Sequence, residues 1–177
     1  MTGIDGKIFV FGGLVRYEDR PGVYYGYTSN ELHSYDFTTD KWKYYGGPKK
    51  VAPRAGASLV THNGNAYLLG GKDENGNALK DFWKYAPATN TWTQLPDPPF
   101  SGRFGHTKVI DGNKMRVIGG NGGTEDLQEN WEFNFETQTW TQKADVPVKL
   151  CSSTAVNDGK GKTYFFGGKS EGVAKKA

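Results

Sequence analysis

The sequence predicts an all-β fold: a β-propeller, or a partial propeller, made of four-stranded antiparallel blades. Three observations predict it. A short β-rich run ends in a glycine doublet four times, at Gly12-Gly13, Gly70-Gly71, Gly119-Gly120 and Gly167-Gly168, with first glycines 58, 49 and 48 residues apart. An aromatic residue is followed seven positions later by tryptophan three times, in the pairs Tyr35/Trp42, Tyr85/Trp92 and Phe133/Trp140. Upstream of every doublet stands a tight-turn dipeptide: Asp5-Gly6, Asn63-Gly64, Asp111-Gly112 and Asp158-Gly159. Asx-Gly between β-branched or aromatic runs is the strongest short-range hairpin signal. No segment has helical periodicity, and four-strand units at a period near fifty residues are the mark of a propeller.

Each element follows from these markers. Strand A precedes the Asx-Gly turn, as at residues 58–61 and 106–110. Strand B ends at the doublet, where glycine permits a positive φ or a close backbone approach. Strand C carries Phe82-Trp83-Lys84-Tyr85 or Asn130-Trp131-Glu132-Phe133, and strand D starts at Trp92 or Trp140. Polar turns join C to D at Thr38-Thr39-Asp40, Pro87-Ala88-Thr89-Asn90 and Glu136-Thr137-Gln138. The repeats run over about 2–47 (partial), 51–97, 101–145 and 149–168 (partial), and the polar, lysine-rich residues 169–177 are expected to be a disordered tail. That makes 13 strands, or 14 if residues 2–5 form a first strand A.

On these motifs the chain resembles the kelch-repeat proteins over residues 2–168. The resemblance implies one antiparallel blade per repeat, several blades in a ring, and partner binding through loops on one face. It also admits other activities, since some kelch-like propellers are enzymes of a copper-oxidase or a sialic-acid-epimerase type. Propellers usually have four to eight blades. Three and a half leave an apolar blade face at each end, and burial worth roughly 10–20 kcal/mol per face is then forgone, against a whole-domain stability of ~5–15 kcal/mol. Association of two chains into a composite ring, a longer protein of which this is a fragment, or an unusual closure is therefore expected.

Composition supports a packed domain. Counting the 25 glycines in place of the 10 tyrosines among the 36% apolar residues gives about 45%, the usual range for globular domains. The 22 basic and 19 acidic residues leave a net charge of +3, with no basic stripe of the kind nucleic acids or membranes require. One cysteine, Cys151, rules out an internal disulfide and a multi-cysteine metal site. No apolar leader or run of 18 apolar residues is present, so a cytoplasmic protein is the expectation.

In a four-strand meander, the B–C loop and the segment leading into the next strand A share one face. That face would gather Arg16, Tyr17, Glu18, Asp19 and Arg20, then Lys72, Asp73 and Asn75, then Asn121, Glu125 and Asp126. Arg54, Arg103 and Leu150-Cys151 come from the segments leading into strand A. The first B–C connection spans 22 residues from its second glycine to its strand-C aromatic, against 14 and 13 in the next two. Its extra residues include Arg20, Tyr24, Tyr25 and Tyr27. It is read either as a partner-binding loop, since tyrosine and arginine dominate binding hot spots, or as a hairpin extension packed on its own blade. Arg54 and Arg103 recur at equivalent places. They either fork onto carboxylates of an acidic peptide or stack on a neighbouring blade and cap loop carbonyls. His106, beside Arg103, is expected to line the central channel.

Candidate chemistry is otherwise thin. His33, His62 and His106 have no metal-like spacing. Asp73-x-Asn75-x-Asn77 lacks the glycine and the bidentate glutamate of a calcium loop. Gly119-Gly120-Asn121-Gly122-Gly123 opens no helix, so it is not a phosphate cradle. The reading is a non-catalytic interaction module with no cofactor and no metal, contacting a protein or peptide partner through Arg16, Tyr17, Arg20, Tyr24, Tyr25, Arg54, Lys72, Arg103, His106 and Asn121. Nucleic acid and membrane are not expected partners. The alternatives are a sugar-active or oxidase-type enzyme, or a self-assembling half-propeller with a structural role.

Overall fold

A computed structural model describes residues 1–170 and the backbone of Val173–Ala174. The strands are β1 (Thr2–Ile4), β2 (Lys7–Arg20), β3 (Val23–Asp36), β4 (Lys41–Gly46), β5 (Ser58–His62), β6 (Asn65–Leu69), β7 (Phe82–Ala86), β8 (Thr91–Leu95), β9 (Thr107–Asp111), β10 (Lys114–Ile118), β11 (Asn130–Asn134), β12 (Thr139–Lys143), β13 (Thr154–Asn157), β14 (Thr163–Phe166), β15 (Lys169–Ser170) and β16 (Val173–Ala174). β1–β4, β5–β8 and β9–β12 form three antiparallel four-stranded meanders, and β13–β14 and β15–β16 form two-stranded ribbons. The innermost strands β1, β5, β9 and β13 touch in succession, so the sheets radiate as blades. Residues 2–4 do form a strand A.

Turn chemistry explains the meander. Asp5-Gly6 (φ 47° and 72°) and Asn63-Gly64 (φ 46° and 69°) have both central residues left-handed, the two-residue hairpin geometry that matches strand twist. The third A–B turn is Gly112-Asn113, one residue later than Asp111-Gly112, because Asp111 pairs with Lys114. The fourth is a five-residue loop rather than a tight Asp158-Gly159 turn, since Asn157 pairs with Thr163. There Asp158 Oδ1 accepts the Lys160 and Lys162 amides at 2.8 and 3.0 Å.

The glycine doublets join neighbouring blades. The second glycine of each of the first three donates its N–H to the residue leading into the next blade: Gly13 to Arg54 O (2.8 Å), Gly71 to Arg103 O (2.9 Å) and Gly120 to Leu150 O (2.8 Å). A second series runs through the equivalent left-handed positions Gly56, Gly105 and Ser152, with Gly105 N on Gly56 O (2.8 Å) and Ser152 N on Gly105 O (2.7 Å).

Between the first two blades lies one apolar cluster, with Ile4, Phe9, Leu32, Leu59, Leu68, Trp83 and Tyr85 at its centre and Phe11 and Trp92 against it. Between the second and third lies another, with Tyr67, Leu69, Phe82, Phe100, Met115, Val117 and Phe133. Two of the three repeated pairs, Tyr85/Trp92 and Phe133/Trp140, thus pack blade on blade, where large rigid rings bury most area, whereas Trp42 of the first pair is exposed.

Of the two readings of the long first B–C connection, the structure has the hairpin extension: β2 and β3 continue past the blade to a turn at Pro21-Gly22. Its alternating β-branched and aromatic residues suit a strand despite their charged neighbours. The expected tail begins as ordered strand, because Lys169 exchanges backbone hydrogen bonds with Cys151 at 2.8 and 2.9 Å and pairs with Ala174. Residues 171–172 and 175–177 of that expected tail lie outside the described residues.

Candidate functional site

The B–C connections and the segments leading into strand A do share one face, through the bridges Ala55–Lys72, Phe104–Asn121 and Cys151–Lys169. The candidate residues on it separate into two groups with different physical roles.

Arg54 and Arg103 are not surface groups; each is 1% exposed. Arg54 donates to Gly70 O (3.0 Å) and Ala52 O (3.0 Å) and forks onto Asp81 at 2.6 and 2.7 Å. Trp83 Nε1 adds a bond to the same carboxylate. Burial alone would raise the Asp81 pKa, but the Arg54 fork and charge with the Trp83 N–H outweigh it and hold the carboxyl below the usual range. Arg103 repeats the arrangement with Gly119 O (3.1 Å) and the Glu129 carboxylate, and lies 4.3 Å over the Phe100 ring. Both arginines tie strand B to strand C of their own blade. That corrects their assignment to partner contact, because their donors are spent inside the domain.

His106 is corrected likewise. It is 5% exposed, and Nε2 meets Ser58 Oγ at 2.8 Å between the second and third blades. Nδ1 is buried with no hydrogen-bond partner among the described residues. Burial, then the Arg103 and Lys108 charges, push its pKa down to about 3, so the ring is neutral. His33 lies tilted against Tyr44 at 38°, and His62 stacks on Phe135. Among the described residues, no three His, Cys, Asp or Glu side chains are grouped to hold a metal.

Asn121 and Lys72 are half-buried. Asn121 donates to Asp126 Oδ1 and accepts the Gly123 amide, both at 2.8 Å, which shapes its own loop. Lys72 lays its ammonium 5.1 Å from the Phe104 ring centroid.

The exposed group is the hairpin. Arg16, Tyr17, Arg20, Tyr24 and Tyr25 are all exposed on it. Pairing of Val15 with Tyr27 and Tyr17 with Tyr25 puts these four side chains on one face. The Tyr17 and Tyr25 rings stack at 5.8 Å and 25°, and Tyr27 lies 6.5 Å from Tyr17. Each of the three tyrosines is about half exposed, between 49% and 51%. Gly26 sits opposite Arg16, and a Cβ there would press on Val15 O at 3.3 Å. Tyr27, which sequence reasoning noted in the loop but did not count as a contact residue, is found only through this pairing.

Comparison with known proteins agrees with the architecture. The solved structure titled "Structure of YjhT" superposes with a TM-score of 0.76 at 23% identity, over 94% of this chain and 57% of that one. N-acetylneuraminate epimerase 1 of Escherichia coli O6:H1 is 28% identical over 152 residues, 67% of this chain and 40% of the relative. N-acetylneuraminate epimerase of Haemophilus influenzae is 28% identical over 154 residues, 67% of this chain and 39% of the relative. A probable serine/threonine-protein kinase of Dictyostelium discoideum is 30% identical over 128 residues, 9% of its length. The chain thus spans two fifths or less of these relatives. With its repeated doublets, radial blades and a match over residues 1–176 to the KLHDC2/KLHL20/DRC7 Kelch-repeats domain, the chain belongs to the kelch-repeat family.

Proposed function

We propose that this kelch-repeat domain is a non-catalytic interaction module that holds a protein or peptide partner on the Tyr17–Tyr25–Tyr27 face of its projecting hairpin. The carrying observation is the stacked tyrosine face, held by a two-stranded ladder and turned to solvent. Ordered tyrosines lose little entropy on binding and supply large amphipathic area. Arg16, paired with Gly26, lies on the opposite face of the ribbon, and Lys72 lies at the foot of the hairpin beside a cavity of about 150 Å³.

The test is a photo-crosslinking residue at Tyr25, identification of the captured protein, and titration of that purified protein by calorimetry. The Tyr17→Ser/Tyr25→Ser double variant is expected to lose at least about tenfold in affinity, as truncated hot spots do. It is expected to melt with the parent, because both rings are exposed. Unchanged affinity overturns the reading.

The names of the epimerase relatives favour a second reading, a sugar-handling enzyme. Interconversion of N-acetylneuraminate epimers, followed by NMR and faster with the protein than in buffer, would replace the first reading with this one.

A further inference from the structure

The β2–β3 hairpin is exposed over residues 16–20 and 24–27, so its outer part is a two-stranded ribbon without a packed core. A lone two-stranded ribbon is marginally stable in water. This one is held by its ladder, by the Gly22 N–H on Glu18 Oε1 at 2.9 Å, and by the cross-strand Tyr17–Tyr25 stack.

That stack also brings two reactive rings together. Tyr17 and Tyr25 are direct partners in the ladder. Their Cβ atoms are therefore neighbours, ~4.5–5.5 Å apart in such pairs. The rings lie 25° from parallel with centroids 5.8 Å apart. Carbon surfaces in contact are only ~3.5–4.0 Å apart, so the rings are offset sideways and meet edge over edge. The carbons ortho to each hydroxyl belong to such edges. Both rings are half exposed and open to an oxidant from solution.

Other tyrosine contacts among the described residues are less suited. Tyr45 and Tyr85 meet edge-on at 78° and 6.5 Å, and Tyr85 is wholly buried. Burial, then the Tyr45 charge, push the Tyr85 phenol up to about 12, so it holds its proton firmly. Tyr27 lies tilted by 57° at 6.5 Å from Tyr17. Tyr24 is next to Tyr25 in the chain but pairs with Glu18, on the opposite face of the ribbon.

We propose that Tyr17 and Tyr25 form an oxidative modification site, where a peroxidase-type oxidant joins the two rings into a dityrosine that staples the hairpin. Each phenol gives up one electron and its O–H proton, and the two phenoxyl radicals form one bond between their ortho carbons. The hydrogen on each bonded carbon then moves to the oxygen of its own ring, which restores both phenols. Hydrogen peroxide takes the two electrons and two protons and leaves as two waters. The new bond closes residues 17–25 into a ring and removes open states of the ribbon. The site rests on the ladder register and not on the partner reading.

The test exposes the folded protein, at low concentration, to a haem peroxidase and hydrogen peroxide. Dityrosine fluorescence is expected in the single-chain band, with a mass lower by two hydrogens. Trypsin leaves residues 17–41 as one peptide, because Arg20 precedes Pro21. Its fragmentation is expected to place the bond between Tyr17 and Tyr25. Tyr17→Phe and Tyr25→Phe are each expected to lose the product, whereas Tyr27→Phe and Tyr24→Phe keep it. All four changes are at exposed rings, and a parent-like melt verifies each fold. Hydrogen exchange at the hairpin amides is expected to slow in the linked protein. A bond to Tyr24, product undiminished in Tyr17→Phe or Tyr25→Phe, dityrosine confined to linked pairs of chains, or none in the folded parent overturns the site. Unchanged exchange in the linked protein overturns the staple.

Discussion

At the residue scale, burial decides what a polar side chain can do. Arg54 and Arg103 recur at equivalent places, and recurrence is what a repeat's own construction requires. At the same place before β13, Leu150 replaces the arginine and keeps only the two backbone bonds, its N–H to Leu127 O and its O from Gly120 N–H. His106 carries the clearest pH signature. Its folded pKa of about 3 lies below the ordinary 6.5, so the unfolded chain takes up a proton first. Stability from this group is full above pH 6.5 and declines as pH falls toward 3, by about 1.4 kcal/mol per unit. Denaturant melts at pH 6.5 and pH 5 are expected to show this slope, and His106→Gln is expected to flatten it. An unaltered slope in the variant would assign the acid sensitivity elsewhere.

At the element scale, glycine has two separable roles. Gly70 (φ 61°) lies where a Cβ would come within 2.5 Å of Arg103 O, whereas at Gly64 (φ 69°) a Cβ meets nothing within 4 Å. Gly64→Ala therefore bears only the left-handed cost, about 1–2 kcal/mol. Gly70→Ala adds a collision with the backbone of the next blade and is expected to cost clearly more, with the difference read from urea midpoints at constant m-value. Equal losses would mean that the doublet is a turn and not an inter-blade contact. The hairpin was half-legible at this scale. Its length stood out in the sequence and a hairpin extension was one of its two readings, but the Tyr17–Tyr25 stacking depends on a register that no local pattern reveals.

At the scale of the whole molecule, both ends of the blade series expose aromatic side chains, and the β13–β14 ribbon beyond the third blade exposes Tyr164 (49%) and Phe166 (53%). The first blade exposes Trp42 (63%), Tyr44 (59%) and Phe37 (61%). On the third blade, Glu132 gathers Lys114, Arg116 and Lys143 at 3.2–3.4 Å. Burial would raise the Glu132 pKa, but the lysine hydrogen bonds and charges outweigh it and lower it. An exposed aromatic face of this kind favours association. Light scattering is expected to show a concentration-dependent mass above 19.5 kDa, and Trp42→Lys is expected to lower it. A concentration-independent 19.5 kDa for the parent chain would exclude association through this face.

Blade number and strand order were readable from the sequence alone, because tight turns and period-two strands are local and were repeated often enough to be recognised. Which side chains remain available was not readable. Arg54 and Tyr25 look equally competent in the sequence, yet one is sealed by Asp81 from strand C and the other is displayed on a ribbon. Availability is set by contacts between residues distant in the chain, and only tertiary packing decides those.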